Sequence, residues 1–171
     1  MRKITHVVMH TAAAERNGRA VDQSAATIRA FHVRAVKDGG RGWSDIGYHW
    51  VVRMNGTVEA GRAERQTGAG VEGFNATTVH VCCSGHGDLV RWWPAQWAAA
   101  VTLVCDIVDR YDLVDEVLAN PMRVLGHSEV DELPAGLYRG PRPIRKTCPG
   151  EKIDMSEFRR AVVAELRRRE G

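Results

Sequence analysis

Apolar residues recur along the chain in two patterns, short continuous runs and helical spacing. The runs at residues 4–10 and 77–84 predict buried strands, and a shorter run predicts a strand that ends at His127. Helical spacing predicts three helices, over residues 25–37, 95–111 and 156–168. Ser24 suits the N-cap of the first helix, and Pro94 suits the start of the second.

The dipeptide Asn55-Gly56 is a strong signal for a two-residue hairpin turn. It lies between residues 47–54 and 57–62, which we predict to pair as antiparallel strands. Strands and helices alternate along the rest of the chain. The sequence therefore predicts an α/β fold in which helices pack on both faces of a central mixed β-sheet with one antiparallel hairpin. At 171 residues the chain suits a single domain.

Composition narrows the function only slightly. The net charge of +3 is mildly basic and selects no anionic partner, so we do not expect a nucleic acid. No apolar run approaches the length that spans a bilayer. The apolar stretch after Arg2 and Lys3 is too short for a secretory signal, which predicts synthesis in the cytoplasm. The four cysteines show no disulfide spacing, so we predict free thiols.

Three residues far apart in the chain share the chemistry of a metal site. His10 and His127 each end a predicted strand, and Cys148 lies in a turn before the last helix. Two imidazoles and one thiolate leave one position of a tetrahedral zinc open, which is typical of hydrolytic zinc. Taken one at a time, each residue is more often a structural core residue. The sequence motifs around the three residues favour the interpretation as a metal site.

Four motifs follow one another in a characteristic order, at residues 43–49 (WSDIGYH), 55–62 (NGTVEAGR), 126–129 (GHSE) and 146–149 (KTCP). With them the chain resembles the type 2 N-acetylmuramoyl-L-alanine amidase family, which includes phage lysozyme-like amidases and peptidoglycan recognition proteins. The resemblance runs from His10 to Phe158. It implies hydrolysis of the amide bond between N-acetylmuramic acid and L-alanine in peptidoglycan.

The resemblance also assigns roles to individual residues. His10, His127 and Cys148 would hold one Zn²⁺ per chain. Tyr48 would stand beside the metal-bound water or the scissile carbonyl, and Lys146 would steady the developing oxyanion. Alternatives remain for these two: Tyr48 also suits a strand core, and Lys146 also suits a surface charge in a basic stretch with Arg139, Arg142 and Arg145.

Three further residues are weaker candidates. Glu129 is two residues from His127 and could orient a ligand from behind, and Asn75 and His80 are candidate substrate contacts or supports of the metal site. Relatives often carry histidine at the position of Gly70 and glycine at that of His80. We therefore hypothesise that His80 fills the space that Gly70 leaves.

Two other functions compete with the amidase. One is a non-catalytic peptidoglycan-binding module, against which the complete trio and Tyr48 argue. The other is regulation of a phage RNA polymerase, which no residue tests. The leading prediction is a monomeric phage or prophage endolysin without a separate cell-wall-binding domain. It would wait in the cytoplasm for a holin partner and then act on the cell wall.

Overall fold

A five-stranded mixed sheet organises the fold, in a computed structural model that describes residues 2–134, 136–141 and 146–171. The strand order is β5-β4-β6-β1-β7, and a separate two-stranded ribbon pairs β2 with β3. The strands are β1 (His6–Thr11), β2 (Glu15–Arg16), β3 (Arg19–Ala20), β4 (Trp50–Val52), β5 (Val58–Ala60), β6 (Thr78–Cys83) and β7 (Val124–Gly126). The α-helices are α1 (Ala25–Val33), α2 (Pro94–Arg110), α3 (Val114–Ala119) and α4 (Met155–Glu170).

The sheet is parallel except at one edge. Strand β1 lies between β6 and β7 and is parallel to both, with His10 opposite Cys82. Strand β4 is parallel to β6 and antiparallel to β5. Parallel strands need both faces covered, which explains why β1 and β6 are continuous apolar runs in the sequence. The predicted mixed sheet with one antiparallel hairpin is confirmed.

One face of the sheet carries the main apolar core. Val7 and Met9 of β1 pack there with α2 and α4, and Phe158 of α4 is fully buried at the centre of this cluster. Alternate strand residues turn to the other face, where Ile28 of α1 packs with Val51. Helices therefore cover both faces, as predicted. This second face also carries His10 and His80.

The first helix is shorter than predicted. It ends at Val33 rather than at residue 37, because Arg34 and Ala35 are extended and a 3₁₀ turn over Val36–Asp38 follows. The amides of residues 40–43 fold back and donate to the carbonyls of residues 31, 32, 34 and 35. These bonds satisfy the end of the helix without another α-helical turn. The apolar Val36 is consequently exposed.

The predicted two-residue hairpin turn is wrong by one residue. Arg53 donates its N–H to the carbonyl of Thr57, so the loop contains Met54, Asn55 and Gly56. Gly56 has φ +89° and donates to the carbonyl of Arg53. A type I turn followed by a left-handed glycine is the usual three-residue hairpin loop. Gly56 is needed for its left-handed conformation, but it is the third residue of a three-residue loop rather than the second of a two-residue turn.

The ribbon of β2 and β3 was not predicted from the sequence. Its turn residues Asn17 and Gly18 have φ of +53° and +73°, the left-handed conformations of a type I′ turn. The Asn-Gly signal was therefore present, but the strands hold only two residues each. The four cysteines are free thiols, as predicted. Within the described residues, no helix has the length and apolar character that a bilayer requires.

Candidate metal centre

The two histidines of the predicted trio meet at the carboxyl ends of neighbouring parallel strands. His10 lies near the end of β1, and His127 follows β7 directly. Met9 pairs with Gly126, and His10 and His127 directly follow these two residues. Their rings therefore lie close together, with centroids 4.9 Å apart. The carboxyl edge of a parallel sheet is where α/β proteins commonly place their sites.

Cys148 reaches the same point from a loop. Its Sγ lies 3.7 Å from Nδ1 of His10 and accepts a hydrogen bond from the backbone N–H of Thr11 at 3.4 Å. Its carbonyl accepts from the N–H of Ser128 at 2.8 Å. A Cβ atom on Gly126 would lie only 2.7 Å from Cδ of Pro149, so the missing side chain at position 126 lets this loop approach β7.

An unpredicted residue, Asp88, anchors the cysteine loop. Its carboxylate accepts hydrogen bonds from the Thr147 hydroxyl and from the backbone N–H of Glu151, both at 2.8 Å. These bonds flank Cys148 on both sides along the chain. Asp88 follows the carboxyl end of β6, and this edge position was the signal that sequence analysis missed.

The geometry of the trio fits one metal ion. One nitrogen or sulfur atom from each of His10, His127 and Cys148 lies within 4.8 Å of the others. Usual zinc bond lengths and a tetrahedral angle place a sulfur and a nitrogen ligand about 3.5 Å apart. The 3.7 Å between Cys148 Sγ and His10 Nδ1 is close to that spacing.

The electrostatics of the trio also suit a metal. Burial holds the pKa of His10 well below its ordinary value, and the charges of His127, His80 and Lys146 lower it further. Burial, aided by Lys146, lowers the pKa of His127 to about 4. Both rings are therefore neutral at pH 7, the form that binds metal. Burial raises the pKa of Cys148 to about 11, so this thiol must release its proton when it becomes a ligand.

A cavity of about 820 Å³ opens over the trio, and Tyr48 and Lys146 line it. The Tyr48 ring centroid lies 5.0 Å from that of His10. Burial raises the pKa of Tyr48 well above 10, so its phenol keeps its proton at neutral pH. Lys146 is exposed at the cavity, while Arg142 and Arg145 of the same basic stretch lie outside the described residues. The structure thus brings the trio and both predicted catalytic residues to one cavity.

The weaker candidates make hydrogen bonds to other parts of the structure and are not among the residues that line this cavity. Asn75 uses its side-chain oxygen to accept from the N–H of Val71 at 2.8 Å, which shapes a loop. The carboxylate of Glu129 accepts from the N–H of Gly126 at 2.7 Å and pairs with Arg159 at 2.7 Å. Glu129 therefore acts on the backbone just before His127. His80 is fully buried beside His10, at 3.1 Å between ring nitrogens.

Other cavity walls were not singled out from the sequence. The ribbon of β2 and β3 contributes Glu15 and Arg16, and α1 contributes Phe31 and His32. His32 accepts a hydrogen bond from the N–H of Gly47 at 3.1 Å, which fixes the chain just before Tyr48. Burial lowers the pKa of His32 to about 4. A lone histidine on a helix gave no sequence signal for this role.

Comparison with known proteins places the chain in a family. The profile of the N-acetylmuramoyl-L-alanine amidase family matches residues 1–151. The chain belongs to this family. It is 35% identical over 96 residues to the endolysin of Klebsiella phage KP32, covering 53% of this chain and 60% of that protein. It is 39% identical over 80 residues to the endolysin of Enterobacteria phage K11, covering 47% of each. The matches thus span about half the length of these relatives.

Solved structures agree on the fold. The amidase LysC from Clostridium intestinale URNW superimposes with a TM-score of 0.68 at 22% identity, covering 97% of this chain and 87% of LysC. Drosophila PGRP-LB superimposes with a TM-score of 0.64 at 21% identity, covering 97% and 81%.

Proposed function

We propose that the protein is a zinc-dependent N-acetylmuramoyl-L-alanine amidase that cleaves the bond between N-acetylmuramic acid and L-alanine in peptidoglycan. The observation that carries the proposal is the convergence of His10, His127 and Cys148 beneath a cavity lined by Tyr48 and Lys146. Membership of the amidase family supports the reaction type.

The metal and the protein divide the chemistry. Zinc, when bound, supplies a Lewis acid and makes water a better nucleophile near neutral pH. His10 and His127 are already neutral, and Cys148 brings one negative charge once its proton leaves. The N–H of Thr11 donates to the sulfur and fixes its position. The two imidazoles are therefore in their metal-binding form before the metal binds, and only the thiol has to lose a proton.

Lys146 and Tyr48 act on the substrate. Hydrolysis of an amide places negative charge on the carbonyl oxygen in the transition state, and the ammonium of Lys146 can stabilise that charge. Because the charge is absent from the ground state, this contact raises the rate rather than only the affinity. The protonated phenol of Tyr48 donates a hydrogen bond without adding charge.

The relatives support a narrower role as a phage endolysin. In this role the protein is a monomer that uses peptidoglycan as its substrate, not a nucleic acid. It is made in the cytoplasm and reaches the cell wall after a holin opens the membrane. The alternative, a module that binds peptidoglycan without cutting it, does not need a complete set of ligands. The presence of all three favours hydrolysis.

Digestion of purified peptidoglycan tests the proposal. We expect the wild type to release stem peptides that begin with L-alanine, identified by mass, and a chelator to stop the release until zinc is restored. Cys148→Ser should lose metal and activity. Cys105→Ser is the matched control, because that thiol is buried against the Val162 carbonyl in the helical core. Lys146→Met should bind zinc normally while its kcat falls by about 100-fold.

Three results would contradict the proposal. One is release of glycan fragments instead of peptides. Another is full activity of the metal-free wild type. The third is equal activity of the Cys148→Ser and Cys105→Ser proteins.

A further inference from the structure

His10 uses its two ring nitrogens in different ways. Nδ1 lies 3.7 Å from Sγ of Cys148, on the side of the candidate metal, and Nε2 lies 3.1 Å from Nδ1 of His80. His10 and His80 are 1% and 0% exposed, so water does not compete for this contact. His80 is thus the partner of the ring nitrogen that the metal does not use.

We propose that His80 is a positioning residue that fixes the tautomer and the ring orientation of His10, and thereby strengthens metal binding. The inference rests on the proposed zinc site. A metal-binding histidine must present one lone pair to the metal, and the hydrogen bond of its other nitrogen decides which nitrogen that is. Here the buried acceptor is another imidazole, rather than a carboxylate or a carbonyl.

The metal at one end and a backbone carbonyl at the other set the direction of each hydrogen bond between His10, His80 and Thr78. With Nδ1 of His10 facing the metal, Nε2 of His10 carries the hydrogen and donates to Nδ1 of His80. His80 then carries its own hydrogen on Nε2, which lies 3.0 Å from the hydroxyl of Thr78. That hydroxyl donates to the carbonyl of Phe74 at 2.9 Å. This series of hydrogen bonds ends on a backbone carbonyl, which can only accept. The donor and the acceptor of each bond are therefore fixed.

The His80 ring is itself held in place. It stacks on His49 with centroids 5.6 Å apart and planes 9° from parallel, and its backbone N–H donates to Nδ1 of His49 at 2.8 Å. Two glycines also lie against the His80 ring where no side chain would fit. A Cβ on Gly70 would lie 2.6 Å from Nδ1 of His80, and a Cβ on Gly68 would lie 2.6 Å from its Cδ2.

The register of the sheet explains why these two histidines meet. Val8 of β1 pairs with His80 of β6, and His10 pairs with Cys82. Side chains two residues apart on one strand share a face, so His10 and His80 are diagonal neighbours on the same face of adjacent strands. A rigid sheet therefore sets the distance between the rings, which suits a residue that positions another.

Zinc affinity, measured by competition with a chromophoric chelator, tests the proposal. His80→Leu removes the acceptor, and we expect zinc to bind about 10- to 100-fold more weakly. His80→Asn keeps an oxygen near the position of Nδ1 and should bind zinc clearly more tightly than His80→Leu. His6→Leu is the matched control, because His6 is 2% exposed on the same face of β1. It should leave zinc affinity unchanged.

Nitrogen-15 NMR of the zinc-loaded wild type gives a readout that needs no variant. We expect the hydrogen of both His10 and His80 on Nε2. Thr78→Val removes the hydroxyl at the far end of the chain and should weaken zinc binding less than His80→Leu does. Cobalt(II)-loaded His80→Leu should also show a changed visible spectrum, because the spectrum reports ligand geometry.

The outcomes separate this proposal from the amidase itself. If the wild type does not bind zinc, the proposed function fails. If the wild type binds zinc and His80→Leu binds it equally well, only the role of His80 fails. Equal weakening by His80→Leu and His80→Asn would assign the effect to ring volume and overturn the hydrogen-bond argument. A hydrogen on Nδ1 of His80 would overturn it as well.

Discussion

At the scale of single residues, the candidate metal centre depends on glycines that leave room for neighbouring groups. The ring of His80 occupies the volume beside Gly70, as the sequence hypothesis required, and Gly126 makes the equivalent room for the Cys148 loop. The trio could be predicted because four motifs in a characteristic order surround its members, whereas each residue alone is more often structural. The structural roles of Glu129 and Asn75 could not be predicted. Glu129 pairs with Arg159, which is 30 residues away in sequence, and no sequence motif marks the hydrogen bond that the Asn75 side chain accepts from the N–H of Val71.

Gly70→Ala tests this spatial argument. The added methyl group would lie 2.6 Å from Nδ1 of His80 and 2.9 Å from Nε2 of His10, both in the rigid interior. We expect overpacking to lower the free energy of unfolding by about 1 to 3 kcal/mol and to weaken zinc binding. Urea unfolding and chelator competition measure the two effects.

Gly18→Ala is the control for that substitution. A Cβ at Gly18 meets no atom within 4 Å, but its φ is +73°. It should lower stability by about 1 kcal/mol through backbone strain and leave zinc affinity intact. A Gly70→Ala protein that matches the wild type in both measurements would show that the site relaxes around the methyl group.

At the level of elements, the sequence predicted which segments form strands and helices better than where they end. Continuous apolar runs mark β1 and β6 because both faces of these strands are buried. A spacing of 3.6 residues marks α2 and α4 because one side of each helix packs into the main core. The end of α1 depends instead on amides from residues 40–43 that fold back to it. The β2–β3 ribbon has too few residues to show a period. Such features depend on contacts with other segments of the protein rather than on the local pattern of apolar residues.

The junction of β7 and α4 provides a test at this scale. Arg159 of α4 pairs with Glu129 at 2.7 Å, and their side chains are 11% and 18% exposed. Arg159→Met leaves a half-buried carboxylate without its cation, so we expect a loss of about 2 kcal/mol of stability in urea unfolding. Because Glu129 also holds the N–H of Gly126, zinc affinity at the adjacent His127 should fall too.

Arg168→Met is the matched control in the same helix. Its pair with Glu165 is exposed to solvent, with 71% of the arginine side chain accessible, so we expect no measurable change in stability. Equal losses in the two variants would mean that the Glu129–Arg159 pair has no special structural role.

Across the whole molecule, buried histidines make the fold sensitive to acid. His6 and His32 are not members of the proposed ligand trio, and burial lowers the pKa of each to about 4. Their ordinary value in an unfolded chain is about 6.5. A lowered pKa means that the folded state prefers the neutral ring. Stability is therefore complete above pH 6.5 and declines as the pH falls from 6.5 towards 4.

Unfolding of the metal-free protein at a series of pH values checks this prediction. Each of the two histidines should remove about 2 kcal/mol between pH 7.5 and pH 5. His6→Gln has no titrating ring at that position, so its stability should fall less steeply over the same interval. Equal stability of the wild type at pH 5 and pH 7.5 would contradict this prediction, because it would mean that folding does not favour the neutral form of these rings.

The two faces of the sheet leave room for practical protein engineering. The face under α2 and α4 carries the main apolar core, whereas the opposite face carries His10, His80 and the cavity. Stability and activity can therefore be improved with two separate sets of substitutions, one on each face of the sheet. A longer-lived variant would be sought among substitutions of the apolar residues that pack around Phe158, with Arg159 and its pair to Glu129 kept.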